Sequence, residues 1–116
     1  MSEPVHRTLI VARLNDGAER TVADLFAASD ATDLPQRIGV RSRTLFEFHG
    51  LYFHLIETDA EFRARVDEAR RDPLFVNLSA DLEPYVTPYD PQRWRSPVDA
   101  MARSFYHWDN PRRSQA

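Results

Sequence analysis

No cysteine occurs among the 116 residues, so disulfides, thiolate nucleophiles and thiolate metal sites are all excluded. Lysine is absent as well: all 15 basic residues are arginine, which removes Schiff-base chemistry on a side chain. Glycine is scarce, with three in the chain, too few for the glycine-rich phosphate loop of a nucleotide-binding fold. The chain has no G-x-S-x-G, no H-E-x-x-H and no carboxylate cluster at metal-ligand spacing. Its four histidines, His6, His49, His54 and His107, are dispersed and supply no metal site by themselves. No apolar run reaches the length of a bilayer span, and the segment Met1 to Thr8 lacks a signal-peptide core. A net charge of -3 argues against a nucleic-acid partner. The expectation from these absences is a soluble cytoplasmic domain with neither nucleic acid nor membrane as partner.

What is present is a foldable amount of apolar material, 42% of residues, in a chain of one-domain length. We expect a single domain over residues 1–116, with a core from 6 to 108 and loose termini. The organising stretch is Leu34 to Thr58, read as two strands joined by a tight turn at His49-Gly50. Thr44, Phe46 and Phe48 share one face of the first arm, with Arg43, Leu45 and Glu47 on the other. In the second arm Leu51, Phe53 and Leu55 alternate with Tyr52, His54 and Ile56. A half-apolar face that carries an arginine and a histidine is either a satisfied core edge or the wall of a pocket.

Upstream, His6 to Leu14 reads as a central strand covered on both sides, since both of its faces are substantially apolar. Asp16 is placed to cap the next helix, with Glu19 completing a capping-box-like pair. Val22, Leu25, Phe26 and Ser29 form that helix's inward stripe. Downstream, Thr58 is read as the cap of a second helix with Glu61 at the box position, and Phe62, Val66 and Ala69 as its stripe. Asp72-Pro73 starts a shorter helix whose apolar side is Leu74, Phe75, Leu78 and Leu82. Tyr85 to Tyr89 is at best an edge strand because of Pro88. A last helix is expected from Ser96-Pro97, with Val98, Met101, Ala102, Phe105 and Trp108 at helical spacing. The order β-α-β-β-α-β predicts an α+β, ferredoxin-like antiparallel sheet with helices on one face and an extra terminal helix. The bare face then needs a cover, either a second copy of the chain or the terminal helix.

Each candidate for chemistry has a structural alternative. His54 serves as a proton carrier or as a hydrogen-bonded core residue. Arg43 polarises a carbonyl or enolate oxygen, or lies extended along the surface. Asp30 and Asp33 sit near a pocket or simply end a helix. Trp94, Phe105, Tyr106 and Trp108 line an aromatic pocket or make ordinary core and dimer contacts. The residues alone assign no enzyme class.

The segments IGVRSRTLFEFHGLYFHL and PYDPQRWRSPVDAMA, together with SDATDLP, DPLF and FYHW, resemble the tetracenomycin-cyclase-like family of aromatic polyketide cyclases over nearly all of His6 to Trp108. That resemblance implies a dimeric ferredoxin-like fold and a part in type II polyketide synthesis. The implied reaction is an intramolecular aldol condensation with loss of water on a poly-β-ketone or partly cyclised intermediate, without cofactor or metal. The implied catalytic positions are His54 as acid/base, Arg43 as oxyanion stabiliser and Asp30 as relay or orienter. Ser29, Phe26, Tyr52, Phe46 and Trp94 are expected to contact substrate. Some relatives have histidine where this chain has Ser29, so a two-histidine mechanism is not carried over. Components of a type II synthase are candidate partners. Two rival functions remain at this point: a cofactor-free oxygenase acting on an anthrone-like phenol, and a binding chaperone that only holds the intermediate.

Overall fold

The computed structural model describes residues 5–59, 62–95 and 97–111. Strand β1 (His6–Leu14) leads into helix α1 (Glu19–Asp30), and a single helical turn, α2 (Leu34–Arg37), precedes the hairpin of β2 (Val40–Phe48) and β3 (Leu51–Thr58). Helices α3 (Phe62–Ala69) and α4 (Pro73–Leu82) follow, then the short strand β4 (Val86–Pro88) and a 3₁₀ turn at Pro97–Ala100. The four strands form one sheet in the order β2-β3-β1-β4, every neighbouring pair antiparallel, which is the ferredoxin-like arrangement. His49 (φ 50°) and Gly50 (φ 79°) make the hairpin turn, both with the positive φ that a tight two-residue connection demands.

Register fixes which residues share a face. Arg43 lies opposite Ile56, Leu45 opposite His54, Ile10 opposite His54 on the other side, and Ala12 opposite Tyr52. Those residues point toward the helices. Ile10, Ala12, Val22, Phe26, Leu34, Ile38, Tyr52, Ile56, Phe62 and Val66 form the buried cluster between sheet and helices. A one-residue slip in the β2–β3 pairing would send Arg43 to the opposite face. The other face presents Phe46 (51% exposed) and Phe48 (61%), with Leu9, Val11, Leu51, Phe53 and Leu55 half-buried. β1 is therefore central in the sheet but well covered on one side only, contrary to the two-sided cover expected.

Several local expectations are corrected. Asp16 caps nothing: the N-cap of α1 is Ala18, with no side-chain cap bond, because Asp16-Gly17 forms a turn (Gly17 φ 75°) ahead of it. Thr58 is the last, fully buried residue of β3, paired with His6 and Val40; its expected box partner Glu61 lies outside the described residues. Residues 34–37 are helical rather than part of the first hairpin arm, Pro35 fitting the first turn of a helix. Gly39 (φ 71°) then reverses the chain against Asp59, whose carboxylate a Cβ there would strike. Asp72 does cap α4, accepting from the Leu74 N–H at 2.9 Å.

The largest correction concerns the end of the chain. Among the described residues no helix follows Pro97–Ala100; Met101 bridges to Ile10, and the Ala102 N–H donates to the Leu9 carbonyl at 2.7 Å. β4 pairs only with Ala12, Arg13 and Leu14, so the rest of that edge of β1 offers unpaired backbone groups. The chain satisfies them in extended form, and helical spacing loses to that edge. Phe105 (92% exposed), Tyr106 and Trp108 consequently stand in solvent instead of packing as a helical stripe.

Candidate functional site

The C-terminal end of α1, the middle of β2 and the middle of β3 converge on the helix-covered face of the sheet. α1 brings Phe26 and Asp30, β2 brings Arg43, and β3 brings Tyr52 and His54, alternate residues on one face. Arg43 and His54 are diagonal neighbours in the β2–β3 ladder, a separation that a long side chain can bridge. The Arg43 guanidinium does so: Nη1 lies 3.1 Å from His54 Nε2.

On its far side Arg43 is forked onto Asp30. Nε donates to both carboxylate oxygens at 3.0 Å, and Nη2 reaches Oδ1 at 2.8 Å. Such a paired contact fixes the plane of the guanidinium as well as its charge. The same group lies over the Phe26 ring, 4.8 Å from its centroid, and Phe26 in turn meets the His54 ring edge-on at 4.9 Å. The chain of contacts continues to Tyr52, whose hydroxyl oxygen is 3.2 Å from His54 Nδ1. Asp30, Arg43, His54 and Tyr52 thus form one line of polar contacts running from the surface into the interior.

Burial governs the protonation of its inner members. His54 is 5% exposed, and its pKa falls to about 3, first because burial penalises the imidazolium and second because Arg43 is positive beside it. Burial likewise pushes the Tyr52 phenol up from its ordinary value, against a smaller opposing effect of Arg43. At neutral pH both are uncharged, and His54 is a much weaker base than a free histidine. Burial and the Arg43 charge thus draw the imidazole away from the ordinary range in which a histidine exchanges protons at working pH.

These residues form one wall of a cavity of about 660 Å³. Its other walls are Ile10, Ile38 and Ile56 from the floor side, Phe62 and Val66 of α3, and Phe75 and Leu78 of α4, with Trp94 and Arg95 from the last loop. The volume suits a drug-sized polycyclic guest, and the mostly apolar lining with few polar groups is typical of a small-molecule site. α4 has no fully buried residue; its apolar side, Leu74, Phe75, Leu78 and Leu82, packs partly buried against the core, and Phe75, Leu78 and Leu82 also roof the cavity. Its amphipathic pattern was readable in the sequence, but nothing in that pattern separates a roof from a core helix.

Of the residues expected at the site, Phe26, Arg43, Tyr52, His54 and Trp94 line the cavity, and Asp30 touches it through Arg43. Ser29 does not line it; its carbonyl instead accepts from the Thr32 hydroxyl at 2.6 Å and closes the end of α1. Phe46 is a correction, since it pairs with Phe53 on the open face and is turned away from the cavity. Phe105, Tyr106 and Trp108 are remote from the lining as well. Leu34, Phe75, Leu78, Ser79, Glu83 and Arg95 line the cavity without having been singled out for it. Among the described residues no group of three or more histidine and carboxylate side chains could hold a metal ion. Nor is any helix among them long and apolar enough to cross a membrane.

Residues 6–109 match the family model described as polyketide synthesis cyclase. The chain is 49% identical to an uncharacterized protein of Streptomyces coelicolor, covering 90% of this chain and 96% of that one. It is 48% identical to the polyketide synthase CurG of Streptomyces cyaneus, covering 90% and 98%. Tetracenomycin F2 cyclase of Streptomyces glaucescens is 43% identical, covering 91% and 96%. The solved structure of that last protein, a type II polyketide cyclase, superimposes with a TM-score of 0.84 over 91% of this chain and 99% of the other. The chain belongs to the polyketide synthesis cyclase family.

Proposed function

We propose that this member of the polyketide synthesis cyclase family acts in the cytoplasm on a poly-β-ketone or partly cyclised intermediate of a type II synthase, closing an aromatic ring by intramolecular aldol condensation and dehydration. One observation carries the reading: an apolar cavity of about 660 Å³ in which the polar wall is a single pre-assembled line, Asp30–Arg43–His54–Tyr52. A flexible polyketone has many ring closures open to it, and a shaped apolar cavity restricts them. Holding one methylene against one carbonyl is worth up to roughly 7–11 kcal/mol for well-oriented partners. A methylene flanked by two carbonyls is already acidic, so the site needs no strong base, in keeping with a neutral His54. Arg43 supplies positive charge next to the carbonyl that becomes an oxyanion, and Asp30 holds it in place. Two of its five N–H groups remain for substrate after those to Asp30 and His54 are counted.

The test is reconstitution of a minimal type II synthase with and without the protein, following ring pattern, water loss and oxygen uptake together. A new ring without oxygen consumption is expected. Oxygen uptake with a quinone product would replace the reading with the oxygenase, and an unaltered product spectrum with bound intermediate would replace it with a holding role.

We further propose that a second copy covers the open sheet face. Phe46 and Phe48, the half-buried Leu9, Val11, Leu51, Phe53 and Leu55 around them, and the exposed Phe105, Tyr106 and Trp108 together present more apolar surface than a monomer usually leaves in water. An antiparallel sheet is self-complementary about a two-fold axis, which favours an identical partner. Sedimentation should give twice the chain mass for the native protein, and the chain mass for Phe46→Arg/Phe48→Arg; a native monomer at micromolar concentration would refute the proposal.

A further inference from the structure

The hydrogen atoms of the polar line are fixed by its first member. An arginine guanidinium only donates and keeps its proton at any working pH. His54 Nε2, 3.1 Å from Arg43 Nη1, must therefore present its lone pair and accept. A neutral imidazole carries one N–H, so that hydrogen sits on Nδ1. The group facing Nδ1 is the Tyr52 hydroxyl oxygen, 3.2 Å away, which accepts from it. The phenol's own hydrogen is then turned away from His54. Tyr52 has no other hydrogen-bond partner among the described residues, it is 4% exposed, and it lines the cavity. Arg43 keeps two N–H groups free, but a guanidinium does not release its proton, so the transferable hydrogen of the line is that of Tyr52.

From this arrangement we infer that Tyr52, and not His54, is the residue that delivers a proton to the carbonyl oxygen at which the ring closes, His54 serving to position and polarise it. The inference rests on the cyclase reading above. As the enol carbon attacks, the new C–C bond forms, the carbonyl π bond breaks and its electron pair passes to oxygen. The phenolic O–H bond breaks and the proton joins that oxygen, giving the hydroxyl that is later lost as water. The proton released when the enol oxygen becomes a ketone returns to the phenolate, so the step consumes none. While the phenolate exists it is stabilised by the Nδ1–H of His54, which is in turn polarised by Arg43. Ala12, fully buried opposite Tyr52, leaves room for the ring and holds it at this depth.

Tyr52→Phe tests the assignment, since it removes the hydroxyl and keeps the ring. In the reconstituted synthase, or with the isolated intermediate, turnover should fall 10²- to 10³-fold with KM altered less than threefold, the loss associated with one transition-state donor. Amide spectra of Tyr52→Phe should overlay the native ones away from β3, and ¹⁵N spectra of the native protein should place the imidazole hydrogen of His54 on Nδ1. Native cyclisation with Tyr52→Phe turning over within threefold of it would overturn this inference and leave the cyclase reading standing. So would a His54 hydrogen on Nε2. A native protein that closes no ring would overturn both.

Discussion

The two faces of the single sheet invert the usual pairing of residue type with environment. The helix-covered face buries a histidine and a tyrosine and shields most of an arginine, while the open face leaves two phenylalanines more than half exposed. Both faces come from the same strands, alternate residues of β2 and β3. A helix-covered face can therefore hold a polar line inside a hydrophobic core. On the inner face α1 and α3 pack against the sheet and a cavity opens beside them, and the polar groups there are satisfied by one another: among the described residues no buried side-chain nitrogen or oxygen lacks a partner.

The largest effect is expected from removing the charge on the inner face. Arg43→Ala should lower cyclisation by about 10³-fold, or roughly 4 kcal/mol of transition-state stabilisation. It should also raise the His54 pKa, since Arg43's charge is the second cause of its depression. Steady-state rates and histidine NMR titration measure the two effects.

The next test is acid. Unfolded, His54 takes up a proton near 6.5; folded, near 3. As pH falls the unfolded chain binds the proton first, so this group's contribution is complete above pH 6.5 and is lost on further acidification. The expected loss is on the order of 1 kcal/mol for each pH unit down to about pH 3. Urea titrations at several pH values should show it, and His54→Gln should flatten the slope over that interval. The kcat of the native protein should show no histidine titration between pH 5 and 8; a bell-shaped limb near 6 to 7 would restore His54 as the base.

Smaller effects sharpen the contrast. Ala12→Leu overpacks the floor under Tyr52 and should cost about 1–3 kcal/mol by denaturant unfolding, with turnover falling as the phenol is displaced. Asp72→Ala removes the cap of the helix over the cavity and should lower the denaturation midpoint slightly, with turnover little changed. Thr44→Ser, on the open face, should alter stability by less than about 0.5 kcal/mol and leave turnover unchanged.

Much of this was readable from residues in order. The bounds of β1, the His49-Gly50 turn, the α1 stripe and the Asp72-Pro73 start of α4 follow from alternation, periodicity and capping chemistry, which are local. The failures are places where a distant partner outweighed a local preference. Val98, Met101, Ala102, Phe105 and Trp108 have helical spacing, yet the unpaired edge of β1 took Met101 and Ala102 into extended pairing. Phe46 and Tyr52 are equally aromatic, and their opposite fates depend on one residue of register.

By itself the sequence determined that Arg43, Tyr52 and His54 share one face of a hairpin and that Phe46 and Phe48 share the other, because side chains along a strand alternate with a period of two. Only the tertiary structure decided which face the helices would cover, that Asp30 would reach Arg43 from α1, and that the imidazole would be buried, neutral and turned so that it donates to Tyr52. Those properties depend on desolvation and on contacts between residues far apart in the chain, which no local pattern encodes.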